Sequence, residues 1–317
     1  MMRQKQVRLY ISFCDALTVS DIICSDVEEL ARKCGISYKV LLSIRKVLFA
    51  QCAPIPISGA NLYKEVIASV AILPTGCQSI DKLLDGGFYT CELLEVAGPT
   101  RSGKTQFCLT AAASFATQSS QNVLYVDTTG GFSPQRLQEI MAKKGCTLQV
   151  IREALKKIQC KQVFDIFELL ELLEDIRGCL EQGQEDDRPS VRMVIVDSVS
   201  ALMAPLLGGN QVDGQALLHH LAQALKILSV EFYTAVMVTN NVVQGDSAED
   251  VKPALGRSWL GVPHSRLMLR YKTANSLPGG GDYCGAVERC ATLVKSQRQP
   301  TGRYAPFVIS GKGVTDS

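Results

Sequence analysis

The residues best suited to chemistry are Gly98, Pro99, Thr100, Arg101, Ser102, Gly103, Lys104 and Thr105, a run that reads G-x-x-x-x-G-K-T. In such a loop successive backbone N–H groups wrap phosphate oxygens, and glycine lets the backbone come that close. Lys104 would reach the β- and γ-phosphates, and the Thr105 hydroxyl would take a position on Mg²⁺. The run therefore predicts a nucleoside triphosphate site. A glycine-rich turn with an incidental lysine is the competing reading. The flanks speak against it, because an apolar strand over 93–97 stands before the loop and a helix over 106–113 continues after it. Further on, Met193-Val194-Ile195-Val196-Asp197 is an apolar strand ending in a carboxylate, which is where such proteins hold Mg²⁺ through water. Many buried strands end in Asp, so Asp197 gains its meaning from the loop before it. Ser198 follows it, which argues against families whose hydrolytic base directly follows the metal aspartate.

The elements that position these residues alternate from Thr75-Gly76 onward. Strands are predicted at 93–97, 123–127, 192–197 and 235–239, with helices after the phosphate loop, after Pro134, near 164–180 and over 215–230. This alternation implies βαβ units: an α/β core with a mainly parallel sheet between helices. Segments 266–271, 287–295 and 304–309, separated by Gly and Pro clusters, read as antiparallel strands closing the sheet edge. Ahead of the core, Ser25-Asp26-Val27-Glu28 is a capping box for a helix that stops at Gly35, and Ser37 caps a second helix. Pro54 and Pro56 then break the chain. The predicted organisation is a small helical domain over 1–53, a linker over 54–72 and the core over 73–317. Residues 1–17 show no clear pattern, and the polar stretch 181–190 reads as a solvated loop.

Composition bounds the partners. A net charge of +2 over 317 residues provides no global basic field, so any nucleic-acid contact must be local. The 12 cysteines form no C-x-x-C and only 3 histidines are present, which favours reduced thiols over a zinc site. His219 and His220 are adjacent on a helix and point about 100° apart, so they do not converge on a metal. No secretory or membrane-length apolar stretch is evident, and an intracellular, soluble protein is expected.

The motifs resemble a known family. Thr75-Gly76, Leu83-Leu84-Asp85-Gly86-Gly87, Glu92, the phosphate loop with Gln106 after it, Val126-Asp127-Thr128, Gly130, Phe132, Arg136-Leu137, Val196-Asp197-Ser198 and Val238-Thr239-Asn240 follow the order of the RecA-like recombinase core. The resemblance runs from about Ser25 to the C-terminus. Lys252-Pro-Ala-Leu-Gly-Arg-Ser-Trp259 and Lys295-Ser-Gln-Arg-Gln-Pro-Thr-Gly302 are similar to the D-type branch of the eukaryotic recombinase paralogues, which are recombination mediators. The resemblance implies ATP and Mg²⁺ as ligands, a nuclear and partly cytoplasmic location, and a role in homologous-recombination repair of DNA. It also implies a hetero-oligomer with the B-type and C-type paralogues and with a short paralogue lacking the helical domain.

Departures from the family pattern refine this picture. Strand-exchange members read D-T-E-G after the second core strand, where the Glu orients the attacking water. Here Asp127-Thr128-Thr129-Gly130 places Thr129 at that position. A hydroxyl does not serve as a base near neutral pH, so ATP binding with weak hydrolysis is expected. Asn241 stands where the family carries a glutamine linking the γ-phosphate to a DNA-binding loop. The two family DNA loops map to about 204–214 and 242–259. The first holds no Lys or Arg, and the second offers Lys252, Arg257 and Trp259 against Asp246, Glu249 and Asp250. Modest, salt-sensitive binding of single-stranded DNA is expected, with Trp259 either stacking a base or packing as an anchor. Family members join end to end through a hydrophobic-x-x-Ala stretch, whose place Ile57-Ser-Gly-Ala60 takes here. Three function readings follow: a recombination-mediator subunit, a structural subunit with a vestigial phosphate loop, and a self-sufficient ATPase motor. Thr129 and the cation-free first loop speak against the last.

Overall fold

The computed structural model describes residues 22, 25–52, 56–182, 191–207, 211–244, 251–271 and 288–317. Residues 1–17, Pro54, most of the polar loop 181–190, and Asp246, Glu249 and Asp250 lie outside the described residues. The chain divides into two compact units at Glu65/Val66.

In the first unit, α1 (Val27–Cys34) begins at Asp26, whose carboxylate accepts the N–H groups of Glu28 and Glu29 at 2.9 and 3.0 Å. Asp26 thus caps the helix where the sequence pattern pointed to Ser25, because its Oδ1 lies within reach of both orphan N–H groups. The helix stops at Gly35 with φ 65°, a left-handed turn suited to glycine. α2 (Tyr38–Cys52) follows the cap at Ser37. Leu30, Leu41 and Leu48 pack together with Ile22 as a small core.

The predicted linker is partly helical. α3 (Gly59–Ser69) buries none of its side chains. Ser58 caps it by accepting the Asn61 N–H at 3.2 Å, and Ala60, Leu62, Lys64, Glu65 and Ala68 are residues that favour helix.

The second unit opens with β1 (Ile72–Leu73), short α4 (Gln78–Leu83) and β2 (Phe88–Tyr89), which pairs with β1. Then come β3 (Leu93–Ala97), α5 (Lys104–Gln118), β4 (Asn122–Asp127), α6 (Pro134–Lys143), α7 (Leu148–Lys157), β5 (Ile158–Gln162) and α8 (Ile166–Gln182). They are followed by β6 (Val191–Asp197), α9 (Val199–Leu207), α10 (Gln211–Val230) and β7 (Ala235–Asn240). A small hairpin, β8 (Val242–Gln244) with β9 (Val251–Pro253), leads to α11 (Arg257–Leu260). The remaining strands are β10 (Ser265–Tyr271), β11 (Arg289–Lys295), β12 (Tyr304–Ser310) and β13 (Gly313–Thr315).

The large sheet runs β13-β12-β11-β10-β3-β7-β6-β4-β5. From β10 to β5 all neighbours are parallel; β11, β12 and β13 are antiparallel. The three expected tail strands do pair antiparallel with one another, and β10 also lies parallel against the central β3, joining them to the core sheet. The apolar run of β10 is buried on both faces, as parallel pairing requires. Alternate residues of the central strands feed two cores. Val96, Tyr125, Ile195 and Met237 join α5, α6 and α7, whereas Leu93, Val126, Val196 and Val238 join α8, α9, α10 and α11. This arrangement leaves the carboxyl ends of β3, β7, β6 and β4 side by side, the place where open α/β sheets bind ligands.

Candidate nucleotide-binding site

The phosphate loop leaves β3 at Gly98, whose N–H donates to the Asn240 carbonyl at the end of β7 at 3.2 Å. A Cβ at Gly98 would stand 2.6 Å from Ser102 Oγ and 2.7 Å from the Leu269 carbonyl oxygen. At Gly103, with φ 106°, a Cβ would stand 2.6 Å from Ile309 Cδ1. Neither position accepts a side chain without movement, which is the physical reason for both glycines. Arg101 adopts φ 66° and Ser102 N–H donates to the Pro99 carbonyl, closing the turn. Tyr271 Oη donates to the Thr100 carbonyl at 3.1 Å and steadies the outer side of the loop.

Lys104 is buried at the start of α5, its Nζ donating to the Gly98 and Pro99 carbonyls at 2.8 and 3.0 Å. Burial pushes the ammonium pKa down while Asp197 opposes the shift. Ser102 Oγ is buried without a hydrogen-bond partner. A loop that Cβ atoms would fill, a buried cation and an orphaned hydroxyl together fit a polyphosphate.

The acid side comes from β4, β6 and β7. Asp197 ends β6 nearly fully buried, its Oδ2 accepting from Tyr125 Oη at 2.9 Å and its Oδ1 from Thr239 Oγ1 at 2.5 Å. Asp127, at the end of β4, collects four backbone donors. Thr129, Gly130 and Gly131 donate to its Oδ1 and Phe132 to its Oδ2, at 2.9 to 3.1 Å. That carboxylate shapes the loop on which Thr129 sits exposed. Thr129 Oγ1 and Thr105 Oγ1 both flank Gly131, 3.4 and 3.8 Å from where its Cβ would stand. Thr105, Thr129 and the Asp127 loop therefore meet at one corner. Among the described residues no group of three or more His, Cys, Asp or Glu is placed to hold a metal by itself. Thr105 and Asp197 suit Mg²⁺, which keeps waters and takes most ligands from phosphates.

The chain matches the Rad51 family model over residues 66–278. The chain belongs to the Rad51 family. Residues 11–51 also match the model described as RAD51D, N-terminal domain. The chain is similar to DNA repair protein RAD51 homolog 4 of Mus musculus, 46% identical over 94% of this chain and 89% of that one. The Bos taurus protein of the same description is 44% identical over 90% of this chain and 85% of its own. A probable DNA repair protein RAD51 homolog 4 of Dictyostelium discoideum is 28% identical over 79% of this chain and 80% of its own.

Asn241 directly follows Asn240, whose carbonyl accepts the Gly98 N–H at the phosphate loop. Asn241 is exposed; its N–H donates to Ser200 Oγ at 3.0 Å and its carbonyl accepts from Ala254. Much of the expected first DNA loop is helix, since α9 runs through Leu207 and α10 starts at Gln211. The expected second loop forms the β8–β9 hairpin and α11. Lys252 and Arg257 are exposed there. Trp259 is not placed to stack a base: its ring is 0% exposed, packed with Leu255 and Val262 against α10. Of its two readings, the packing anchor is the one observed. Ile57 is 55% exposed and Ala60 is exposed at the start of α3. His219 and His220 lie on the exposed face of α10.

The sequence reading missed Tyr125, Thr239 and Asp127 as site residues. Asp127 stood inside a quoted motif and so was visible. Thr239 also stood in a quoted motif but without a role, Tyr125 looked like an ordinary strand residue, and only the sheet order brings their hydroxyls to Asp197. A buried polar set below the loop was missed as well. Asn240 Nδ2 donates to Glu95 Oε1 at 2.6 Å, and Glu95 pairs with Arg266. One charged residue within the apolar run 93–97 was the available signal.

Proposed function

We propose that this Rad51-family protein is an ATP-binding subunit of a heteromeric recombinase-paralogue complex acting in homologous-recombination DNA repair in the nucleus. The observation that carries the reading is the site at the strand ends. A phosphate loop with two sterically required glycines and a buried lysine faces a held aspartate, and Thr129 stands where the family's catalytic glutamate belongs. Gly98 to Thr105 hold the phosphates, and Thr105 and Asp197 hold Mg²⁺. ATP would bring the polyphosphate and Mg²⁺ its charge neutralisation. Without a general base, a step that typically gains ~10²–10⁴-fold is missing, so hydrolysis by the chain alone is slow.

The complex assists recombinase filaments on single-stranded DNA. Its partners are the B-type and C-type paralogues and a short paralogue lacking the helical domain, with Ile57 and Ala60 as contact residues. Direct DNA contact is modest and rests on Lys252 and Arg257. An equilibrium titration with a fluorescent ATP analogue tests the reading, on the chain alone and with its partners. Saturable binding lost in Lys104→Ala is the expected result. Absence of binding in both settings would leave a structural subunit with a vestigial loop.

A further inference from the structure

We infer that Tyr125 is a positioning residue for the metal-binding carboxylate: with Thr239 it sets the orientation of Asp197 and ties it to the loop that carries Thr129. The inference rests on the nucleotide-site reading above.

β6 lies between β4 and β7 in the sheet, so Asp197 has a neighbour on each side. Tyr125 Oη reaches one carboxylate oxygen from β4, and Thr239 Oγ1 reaches the other from β7. Two donors on opposite oxygens remove the free rotation a strand-end carboxylate would have. Each oxygen still keeps a lone pair for a metal-bound water. The carboxylate has only acceptors to offer, so the Tyr125 hydroxyl is the donor in this bond.

The ring of Tyr125 does a second job. It packs on Phe132 with centroids 4.8 Å apart, and the Phe132 N–H donates to Asp127 Oδ2 at 3.0 Å. The same Asp127 carboxylate holds the Thr129, Gly130 and Gly131 amides. One side chain thus touches both the metal carboxylate and the loop beside Thr105. A tyrosine that only filled the core would need a single acceptor for its hydroxyl, and any buried carbonyl would serve. Here the acceptor is the one carboxylate suited to Mg²⁺.

The test titrates Mg²⁺ into the full chain at fixed fluorescent ATP analogue and compares wild type, Tyr125→Phe, Thr239→Val and Asp197→Asn. Tyr125→Phe keeps the ring contact with Phe132 and removes only the donor. The Mg²⁺ midpoint is expected to rise roughly three- to tenfold in Tyr125→Phe and in Thr239→Val, as loss of one typical hydrogen bond implies. Affinity measured in EDTA stays at the wild-type value, and Asp197→Asn loses the Mg²⁺ response. An unchanged midpoint in Tyr125→Phe, with the response gone in Asp197→Asn, overturns the inference and leaves the nucleotide site standing. A loss of affinity equal with and without Mg²⁺ also overturns it, since a structural role would act that way. If Tyr125→Phe fails to fold, Thr239→Val decides by the same midpoint. A wild-type chain that binds the analogue with no Mg²⁺ response overturns both the metal site and the inference.

Discussion

At Thr129 a hydroxyl stands beside Thr105 on a loop already organised by four amides on Asp127. On the proposed reading Thr129 stands in place of the hydrolytic base, so a carboxylate at this position should raise the rate. Thr129→Glu is expected to raise steady-state ATP turnover by up to ~10²-fold, the low end of what a positioned base contributes. Turnover equal to wild type would mean that some other group limits hydrolysis. His264 shows a different residue-scale effect. It is half-buried and its Nδ1 accepts the Leu93 N–H at 2.8 Å, which requires the neutral ring. Burial depresses its pKa below the ordinary 6.5. As pH falls, the unfolded chain takes up this proton first, so the contribution is complete above pH 6.5 and is lost as pH falls through the folded value. Melting temperature is expected to decline as pH falls below 6.5, with a shallower decline in His264→Asn, whose side-chain oxygen can accept the same N–H without titrating.

At the scale of elements, the central strand β3 is joined to β10 by the buried Glu95–Arg266 pair and to β7 by Asn240. Three polar groups inside an apolar sheet are tolerated only while they satisfy one another. Removing Arg266 alone leaves a carboxylate buried below the phosphate loop. Arg266→Met is expected to destabilise by ~3–5 kcal/mol in chemical denaturation, and the double change Glu95→Leu with Arg266→Met to recover most of that. Equal destabilisation by the single and double variants would show that packing, not charge, holds this junction. Helix contacts carry a similar constraint at Gly214, where a Cβ would stand 2.5 Å from the Leu206 carbonyl oxygen, so α9 and α10 approach closely.

At the scale of the whole molecule, the boundary between the two compact units falls within the residues of α3, where Leu62, Tyr63, Val66 and Ile67 are exposed. Among the described residues no helix is long and apolar enough to cross a membrane. Ile57→Glu is expected to leave the melting temperature unchanged, because an exposed substitution stays within ~0.5 kcal/mol. It should nevertheless reduce capture of the paralogue partners in a pull-down. Retained capture of all of them would remove Ile57 from the interface.

Much of this protein is legible along the chain because its signals are local. The phosphate loop, the strand ending in Asp197, the cap at Ser37, the helix start near Asp26, and the alternation of strands and helices all arise from residues within a few positions of one another. β5 escaped because it is an edge strand with only Ile158 buried, so no apolar period marks it. α9 and the start of α10 were taken for a loop because Pro205 and the Gly-rich stretch at 208–210 obscure their period. Trp259 had two readings in sequence, and packing against α10 chose one. The sequence by itself determined the fold class, the phosphate-loop pattern and the threonine at position 129. The tertiary structure decided what holds the Asp197 carboxylate, since Tyr125 and Thr239 lie 72 and 42 residues from it. Only the order of parallel strands, fixed by which faces can be buried together, brings those hydroxyls within bonding distance.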